Sequence, residues 1–244
     1  MRSDNKIMVY GIILSGGMGA RFGGTIPKQY IEVNGRPIIA DCIDTFEACK
    51  LVDKYVIVAA AEWEDYLSEL ISNLSVCNQD LETANKFCAF AVPGENRQLS
   101  IYSGLKVLSD RATDDDIVII HDAARPFVTE DILNRLINAC ENADGAMPAL
   151  PVKDTMYIQE NGRVKALIDR ENLIAGQAPE AFRYGKYLKA NEVLLPDKIL
   201  SIKGSTEPAF LAGVDIAVVP GDESNFKITT KEDLDRYLSI KQNA

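Results

Sequence analysis

The sequence has only one histidine among its 244 residues, and its cysteines are scattered without a Cys-x-x-Cys pair. Zinc sites of the finger type need paired cysteines or histidines at short spacing, so these residues cannot form one. We interpret the cysteines as reduced thiols: Cys42, Cys49, Cys77, Cys88 and Cys140. A chain of this length can bury a large single core, so it needs neither disulfides nor a structural metal to fold.

The sequence also lacks any apolar run of about 18 residues, the length that a transmembrane helix requires. Its first six residues are polar, and no apolar stretch of the kind found in secretory signals follows them. These absences predict a protein without a membrane span or a secretory signal, located in the cytoplasm.

Basic residues are scarce relative to acidic ones, with 26 lysines and arginines against 36 aspartates and glutamates and a formal net charge of -10. A surface that binds nucleic acid or an anionic membrane needs a basic field to attract phosphates. We therefore expect neither as a partner. Any phosphate-bearing ligand must meet a local cluster of cations.

Short apolar runs rich in β-branched residues alternate with segments of helical spacing through the first 150 residues. The predicted strands cover 9–14, 55–60, 90–92 and 117–120, and the predicted helices 38–46, 62–74, 99–108 and 130–141, the last capped by Thr129. This alternation is typical of an α/β protein whose mainly parallel sheet carries helices on both faces. Ligands of such sheets bind beyond the carboxyl ends of the strands.

A different pattern begins after residue 150. Two alternating segments, 152–158 and 164–168, flank Asn161-Gly162, which is a strong two-residue hairpin signal. We expect a projecting β-arm at approximately 151–170. A helix at 184–194, a strand at 215–219 and a helix at 231–240 complete one predicted domain, 1–244, without repeats or linkers.

A glycine-rich loop follows the first strand, with five glycines between Gly16 and Gly24. Without Cβ atoms, backbone amides can approach and wrap a polyanion, and Arg21 and Lys28 flank the loop with positive charge. The spacing is neither a dinucleotide fingerprint nor a Walker loop. A phosphate cradle is therefore the preferred interpretation, and a merely flexible turn is the alternative.

Two further positions are candidates for chemistry. Asp122 follows the fourth strand, where a carboxylate can hold Mg²⁺ against phosphates, although it could equally cap the next helix. His121 is better explained as a packed structural residue than as a general base, since a phosphate-monoester nucleophile is already ionised.

Lys227 sits between apolar neighbours at a strand end and is favoured for function over a solvated surface role. The turn 94–100 is by itself only a helix start, with Ser100 able to read a base edge.

Taken together, these motifs resemble the methylerythritol-phosphate cytidylyltransferase family and its relatives, the ribitol-5-phosphate cytidylyltransferases. The segments that match, in the family's order, are 16–21, 27–30, 94–100, 121–126, 152–155, 177–182 and 225–229. They cover nearly the whole chain. The resemblance implies a Rossmann-like nucleotidyltransferase fold, CTP as co-substrate, Mg²⁺ as metal and a homodimer formed through the β-arms.

The resemblance also implies roles for individual residues. Arg21, Lys28 and Lys227 would be catalytic, opposing charge on the phosphates, and Asp122 would ligate Mg²⁺. Contacts to CTP would come from Ser15, Gly16, Gly17, Gly19, Gly94, Ser100 and Ala123. Thr155 and Arg170 would hold the phosphate of the acceptor in the partner subunit.

The acceptor side departs from the family pattern. Where both relatives carry a Thr-Asp pair, this chain has Lys203-Gly204, and the usual Gln-Thr-Pro-Gln is Gln177-Ala178-Pro179-Glu180. Lys203 is therefore the candidate acceptor contact, although a local realignment would give that role to Ser205 or Thr206.

We predict a cytidylyltransferase that transfers CMP from CTP to a polyol phosphate: ribitol, glycerol or another alditol phosphate, for a capsule or teichoic-acid polymer. The alternative acceptor is 2-C-methyl-D-erythritol 4-phosphate of isoprenoid synthesis, because residues 121–126 match that branch closely. A nucleotidyltransferase that uses UTP or ATP is a further possibility. A catalytically silent nucleotide-binding regulator is a remote one, since a mere binder needs fewer cations.

Overall fold

The computed structural model describes residues 6–17, 26–77 and 86–242. Its strands are β1 (Val9–Leu14), β2 (Glu32–Val33), β3 (Arg36–Pro37), β4 (Lys54–Val58), β5 (Phe87–Ala91), β6 (Ile117–Asp122), β7 (Gly145–Pro151), β8 (Met156–Glu160), β9 (Arg163–Ile168), β10 (Ile174–Gly176), β11 (Glu180–Arg183) and β12 (Ile216–Pro220). Its α-helices are α1 (Ile39–Ala48), α2 (Glu64–Cys77), α3 (Arg97–Val107), α4 (Glu130–Ala139), α5 (Tyr184–Glu192), α6 (Thr206–Leu211) and α7 (Lys231–Gln242). Short 3₁₀ turns cover Lys28–Tyr30, Ala61–Trp63 and Lys198–Ser201.

One mixed sheet contains eight of the described strands. The order is β10-β7-β11-β6-β1-β4-β5. Strand β12 lies off this path and also pairs with β7. Strands β6, β1, β4 and β5 are parallel to one another, whereas β11 runs antiparallel to both β6 and β7. The predicted α/β class with a mainly parallel sheet is confirmed.

Both faces of the sheet are buried. Successive β1 residues Ile12 and Ile13 are both fully buried but belong to two different core clusters. The cluster around Ile13 includes residues of α1, α2 and α4, and the cluster around Ile12 includes residues of α3, α5 and α6. A strand buried on both sides reads as a continuous apolar run, which is why β1 was predicted with its observed bounds.

Strands β7 and β11 were not predicted from the sequence. The β7 sequence GAMPALP has no β-branched residue and two prolines, so its intrinsic strand preference is low. It is a strand because β11 and β12 pair with its two sides. Pairing across the fold overrides local preference here.

Strands β8 and β9 form a separate antiparallel hairpin, as predicted for the β-arm. At its tip Asn161 and Gly162 have φ of 52° and 74°, the pair of left-handed residues that a two-residue primed turn requires. Tyr157, Val164 and Leu167 on this hairpin are more than half exposed.

Among the described residues, no helix is both long enough and apolar enough to cross a lipid bilayer.

Helix α3 is held closely against β1. Asn96 caps it, with Oδ1 accepting a hydrogen bond from the amide of Leu99 at 2.8 Å. Farther along, a Cβ added to Gly104 would lie 2.7 Å from Cγ2 of the fully buried Ile12. The missing side chain at Gly104 therefore lets α3 approach the sheet closely.

Replacing Gly104 by valine should destabilise the protein because the added methyl groups overlap Ile12. Overpacking of this kind costs about 1–3 kcal/mol. The free energy of unfolding in urea measures the effect. Gly204→Ala is the control, since nothing lies within 4 Å of a Cβ added there; equal stability of the two variants would contradict the close packing of α3.

Candidate active site

A cleft of about 470 Å³ lies beyond the carboxyl ends of β1 and β6, where ligands of parallel sheets bind. It is lined by Leu14, Gly16, Gly17, Lys28, Gln29, Gly94, Glu95, Asn96, Arg97, Ser100, Asp122, Ala124 and Lys227. These residues come from five regions of the chain: the end of β1 with the glycine-rich loop, the 3₁₀ turn at Lys28–Tyr30, the turn into α3 with the start of that helix, the end of β6 with the residues after it, and the segment before α7.

A larger cavity of about 710 Å³ lies at the opposite end of the strands, next to residues that precede β1, β6 and β7. Its charges compensate one another, as in the ion pair between Lys186 and Asp144 at 2.7 Å. None of the predicted site residues lines it. The smaller cleft is therefore the candidate active site.

The cleft unites most of the residues predicted to act on the nucleotide: Gly16, Gly17, Lys28, Gly94, Ser100, Asp122 and Lys227. Ser15 and Ala123 adjoin the cleft but are buried, and the neighbouring Ala124 lines it instead of Ala123. Gly19 and Arg21 lie outside the described residues.

The start of the glycine-rich loop is fixed from beneath by residues of the 3₁₀ turn. Gln29 Nε2 donates to the carbonyl oxygens of Ser15 and Gly17, at 2.5 and 3.0 Å. The Ser15 hydroxyl donates to the hydroxyl of Tyr30 at 2.6 Å, so it is turned inward. A Cβ on Gly16 would lie 2.5 Å from the ring of Pro93. This part of the loop therefore has a set shape before any ligand arrives.

The turn between β5 and α3 closes on itself. The amide of Gly94 donates to Ser100 Oγ at 3.0 Å, and the Ser100 hydroxyl donates to the carbonyl oxygen of Asn96, also at 3.0 Å. A Cβ on Gly94 would lie 2.6 Å from the backbone of Leu99. Only glycine fits at position 94, and Ser100 shapes the turn as well as facing the cleft.

Asp122 is the electrostatic centre of the cleft. Its Oδ1 accepts from Arg97 Nε at 2.9 Å, and its Oδ2 pairs with Lys227 Nζ at 2.8 Å. Burial would raise the pKa of Asp122, but the charges of Arg97 and Lys227 outweigh burial and hold that pKa well below its ordinary value. The carboxylate is thus ionised and bridges two cations.

Arg97 is the member of this cluster to which sequence reasoning gave no role. It is the first residue of α3, where a positive charge is disfavoured by the helix dipole. A cation at such a position implies a nearby anion, and that anion is Asp122. A positive charge at the start of a helix was therefore the sequence signal that could have identified Arg97 as a site residue.

The segment before α7 is attached to the loop after β6. The amide of Ile228 donates to the carbonyl oxygen of Ala124 at 2.8 Å, and Arg125 donates to the carbonyl oxygen of Asn225 at 2.7 Å. Lys28 Nζ donates to the carbonyl oxygen of Ile228 at 2.5 Å. Lys28 and Lys227 therefore reach the same cleft from two sides.

His121 is a structural residue, as predicted. It is fully buried, its ring is tilted by 40° against that of Phe46 at a centroid distance of 5.7 Å, and its Nε2 lies 3.2 Å from the carbonyl oxygen of Arg125. Burial lowers its pKa to about 4. The imidazole is neutral at physiological pH and lies beneath the cleft, so it is not placed to act as a general base.

The residues present fit a magnesium ion that arrives with a nucleotide. The described residues contain no group of three or more metal-binding side chains, which a site made of protein alone would need. Mg²⁺ is commonly held by one or two carboxylates together with substrate phosphates, and Asp122 Oδ2 keeps a lone pair beyond its bond to Lys227. The alternative role of Asp122 as a helix cap is wrong, because Thr129 caps α4.

The residues predicted to hold the acceptor do not line the cleft of their own chain. Thr155 and Arg170 are exposed at the base of the β8–β9 hairpin, where Arg170 donates to the carbonyl oxygen of Lys153. Lys203 is exposed, and its amide donates to Glu207 Oε2 at 2.8 Å. Arg170 therefore does not converge with Lys28 and Lys227 in the cleft of a single chain.

Comparison with known proteins identifies close relatives of this cleft and fold. The family model described as "IspD: 2-C-methyl-D-erythritol 4-phosphate cytidylyltransferase" matches residues 9–240. A 2-C-methyl-D-erythritol 4-phosphate cytidylyltransferase of Geobacter metallireducens is 37% identical over 93% of this chain and 94% of the relative. A ribitol-5-phosphate cytidylyltransferase of Streptococcus agalactiae is 29% identical over 96% of this chain and 95% of the relative.

The crystal structure of 4-diphosphocytidyl-2C-methyl-D-erythritol synthase from Anaerococcus prevotii superposes with a TM-score of 0.80. That alignment covers 97% of this chain and 96% of the relative at 25% identity. The enzyme from Francisella tularensis gives a TM-score of 0.74 at 27% identity over 94% and 98% of the two chains.

The single histidine allows a direct test of the neutral imidazole. We expect the ring proton signals of His121 in NMR spectra to stay constant from pH 5.5 to 8, since burial lowers its pKa to about 4. A free-histidine peptide should titrate near pH 6.5 in the same buffer. A titration of His121 between pH 6 and 7 would contradict its burial.

Proposed function

Because the chain belongs to the 2-C-methyl-D-erythritol 4-phosphate cytidylyltransferase (IspD) family, we propose that it transfers CMP from CTP to a small polyol phosphate with release of pyrophosphate. The observation that carries this proposal is the convergence of Lys28, Arg97 and Lys227 around Asp122 in one cleft. Members of the family are nucleotidyltransferases that use CTP.

The acceptor that has the best support is 2-C-methyl-D-erythritol 4-phosphate. It is named in the matching family model and in the relatives of 37% identity, whereas the ribitol-phosphate relatives are 29% identical. Our sequence-based preference for a ribitol, glycerol or other alditol phosphate of a cell-surface polymer has weaker support. It stays the second candidate because of the departures at Ala178, Glu180 and Lys203.

The chemistry follows from the charges in the cleft. An ionised oxygen of the acceptor phosphate attacks the α-phosphorus of CTP in line, and pyrophosphate leaves. Lys28 and Lys227, together with Arg21 from the glycine-rich loop, stabilise the negative charge on the transferring and leaving phosphates. Asp122 positions Lys227 and Arg97 and would hold Mg²⁺, which when bound neutralises phosphate charge. No general base is needed, which agrees with a neutral His121.

We propose further that the acceptor site is completed by a second copy of the chain. Thr155 and Arg170 lie on an exposed hairpin whose apolar side chains include Tyr157, Val164 and Leu167. Pairing of two such arms would bury these side chains and carry Arg170 to the partner's cleft. A homodimer is therefore part of the proposed active form.

Lys28→Ala and Lys227→Ala should each lower kcat by about 100-fold or more, since each removes a charge that faces the transferring phosphates. Pyrophosphate release from CTP measures the rate, and circular dichroism verifies that the fold persists. Lys50→Ala, an exposed lysine after α1, is the matched control and should keep full activity. Near-normal turnover of either cleft variant would contradict the assignment.

The acceptor is identified by incubating the protein with CTP and Mg²⁺ and, in parallel, methylerythritol, ribitol, glycerol and mannitol phosphates. We expect methylerythritol phosphate to give the highest rate, with the CDP-linked product identified by mass, and UTP or ATP to be poor substitutes for CTP. A highest rate with ribitol phosphate would favour the second candidate. Binding of CTP without release of pyrophosphate from CTP, whichever acceptor is present, would indicate a silent regulator.

A further inference from the structure

Glu180, at the start of β11, has a carboxylate oxygen without a hydrogen-bond partner among the residues that the structure describes. The residue is 9% exposed, and its Oε1 accepts from the hydroxyl of Ser205 at 2.5 Å and lies 3.5 Å from the hydroxyl of Thr206. Its Oε2 is buried and accepts no hydrogen bond. Burying an unpaired carboxylate oxygen is costly, so its retention calls for an explanation.

The backbone of Glu180 lies close in the sheet to Asp122, which lines the cleft. Glu180 pairs with Ile120 across the antiparallel β11 and β6, and Asp122 lies two residues beyond Ile120. Residues opposite one another in a pair, and residues two apart in a strand, share a face of the sheet. Glu180 and Asp122 therefore project from the same face, with backbones about 8 Å apart by strand geometry.

The surroundings of Glu180 favour a neutral ligand that can both donate and accept. Burial raises the pKa of Glu180, and charges of both signs act on it, since Asp122 adds to the effect of burial whereas Arg97 and Arg125 oppose it. Arg125 also has a buried Nε without a hydrogen-bond partner. A hydroxyl group can donate to a carboxylate and accept from a guanidinium, and polyols carry several hydroxyls.

We propose that Glu180 is a specificity-determining residue whose free carboxylate oxygen accepts a hydrogen bond from a hydroxyl of the polyol acceptor. This inference rests on the proposed function, in which the acceptor phosphate reacts near Asp122 and Lys227. The carbon chain of the acceptor then extends along the face of the sheet towards Glu180. Ser205 and Thr206 are positioning residues, because they hold the other carboxylate oxygen.

This subsite would take over the acceptor contact that the sequence assigned to Lys203. Lys203 is exposed, whereas Ser205 is buried and donates to Glu180. The family pattern has glutamine where this chain has Glu180. An amide presents only one oxygen and adds a donor, so the change alters which acceptor hydroxyls are recognised.

The test compares Glu180→Gln with the wild-type protein in steady-state pyrophosphate release. Acceptor concentration is varied at saturating CTP, and CTP at saturating acceptor, with the best acceptor of the panel and its single-deoxy analogues. We expect kcat/KM for the acceptor to fall about 10-fold to 100-fold, as for loss of a hydrogen bond to a charged group, and KM for CTP to stay within about twofold. Removing the hydroxyl that contacts Glu180 should lower the wild-type rate but not lower the variant's rate further.

Glu207→Gln is the matched control, since that carboxylate lies on the same helix as Thr206 but bonds the amide of Lys203. It should leave acceptor kinetics unchanged. Thermal unfolding separates a structural role from recognition, and Glu180→Gln should be no less stable because a neutral amide replaces a buried carboxylate.

The results that would contradict the subsite differ from the result that would contradict the proposed function. An unchanged acceptor profile in Glu180→Gln, or an equal loss for CTP and acceptor, overturns the subsite while the proposed function stands. Absence of pyrophosphate release by the wild-type protein with every acceptor overturns the proposed function itself, and the subsite with it.

Discussion

The architecture of the cleft depends on one buried carboxylate that bridges two cations. Arg97, Asp122 and Lys227 come from regions more than 20 and 100 residues apart, and each bond between them is 2.8–2.9 Å long. An unpaired charge at this depth would be strongly destabilising, whereas a carboxylate with a partner on each oxygen is tolerated. The bridge thereby ties the start of α3 and the segment before α7 to the end of β6. The rest of the site is arranged around these three fixed points.

The bridge also reconciles an acidic protein with a polyanionic substrate. The net charge of -10 describes the whole chain, but among the described lining residues Lys28, Arg97 and Lys227 face two acidic side chains, Asp122 and Glu95. Local fields in a cleft are set by the nearest charges and by the low dielectric of its walls. Net charge is therefore informative about nucleic acid and membranes, and uninformative about a nucleotide.

Structural features that depend on a few consecutive residues could be predicted from the sequence. The continuous apolar run of β1, the Asn161-Gly162 turn and the Thr129 cap each depend on neighbouring residues, and the structure has all three. Strand β7 was not predictable, because its neighbours β11 and β12 make it a strand. The role of Arg97 was missed for a related reason: its partner Asp122 is 25 residues away, and helix position alone only hints at it. Lys203 was predicted as the acceptor contact from its distance in sequence to a later glycine. In the structure, the packing of α6 instead brings Ser205, two residues later, to the interior.

The closed turn between β5 and α3 has a consequence for base recognition. The proton of the Ser100 hydroxyl is committed to Asn96, and one of its lone pairs receives the amide of Gly94. What Ser100 can offer to a base is the remaining lone pair, so it attracts an N–H group and repels a carbonyl oxygen. Cytosine presents an amino group at the position where uracil presents a carbonyl oxygen. In the proposed function, the hydrogen bond that closes this loop would therefore also favour cytosine over uracil.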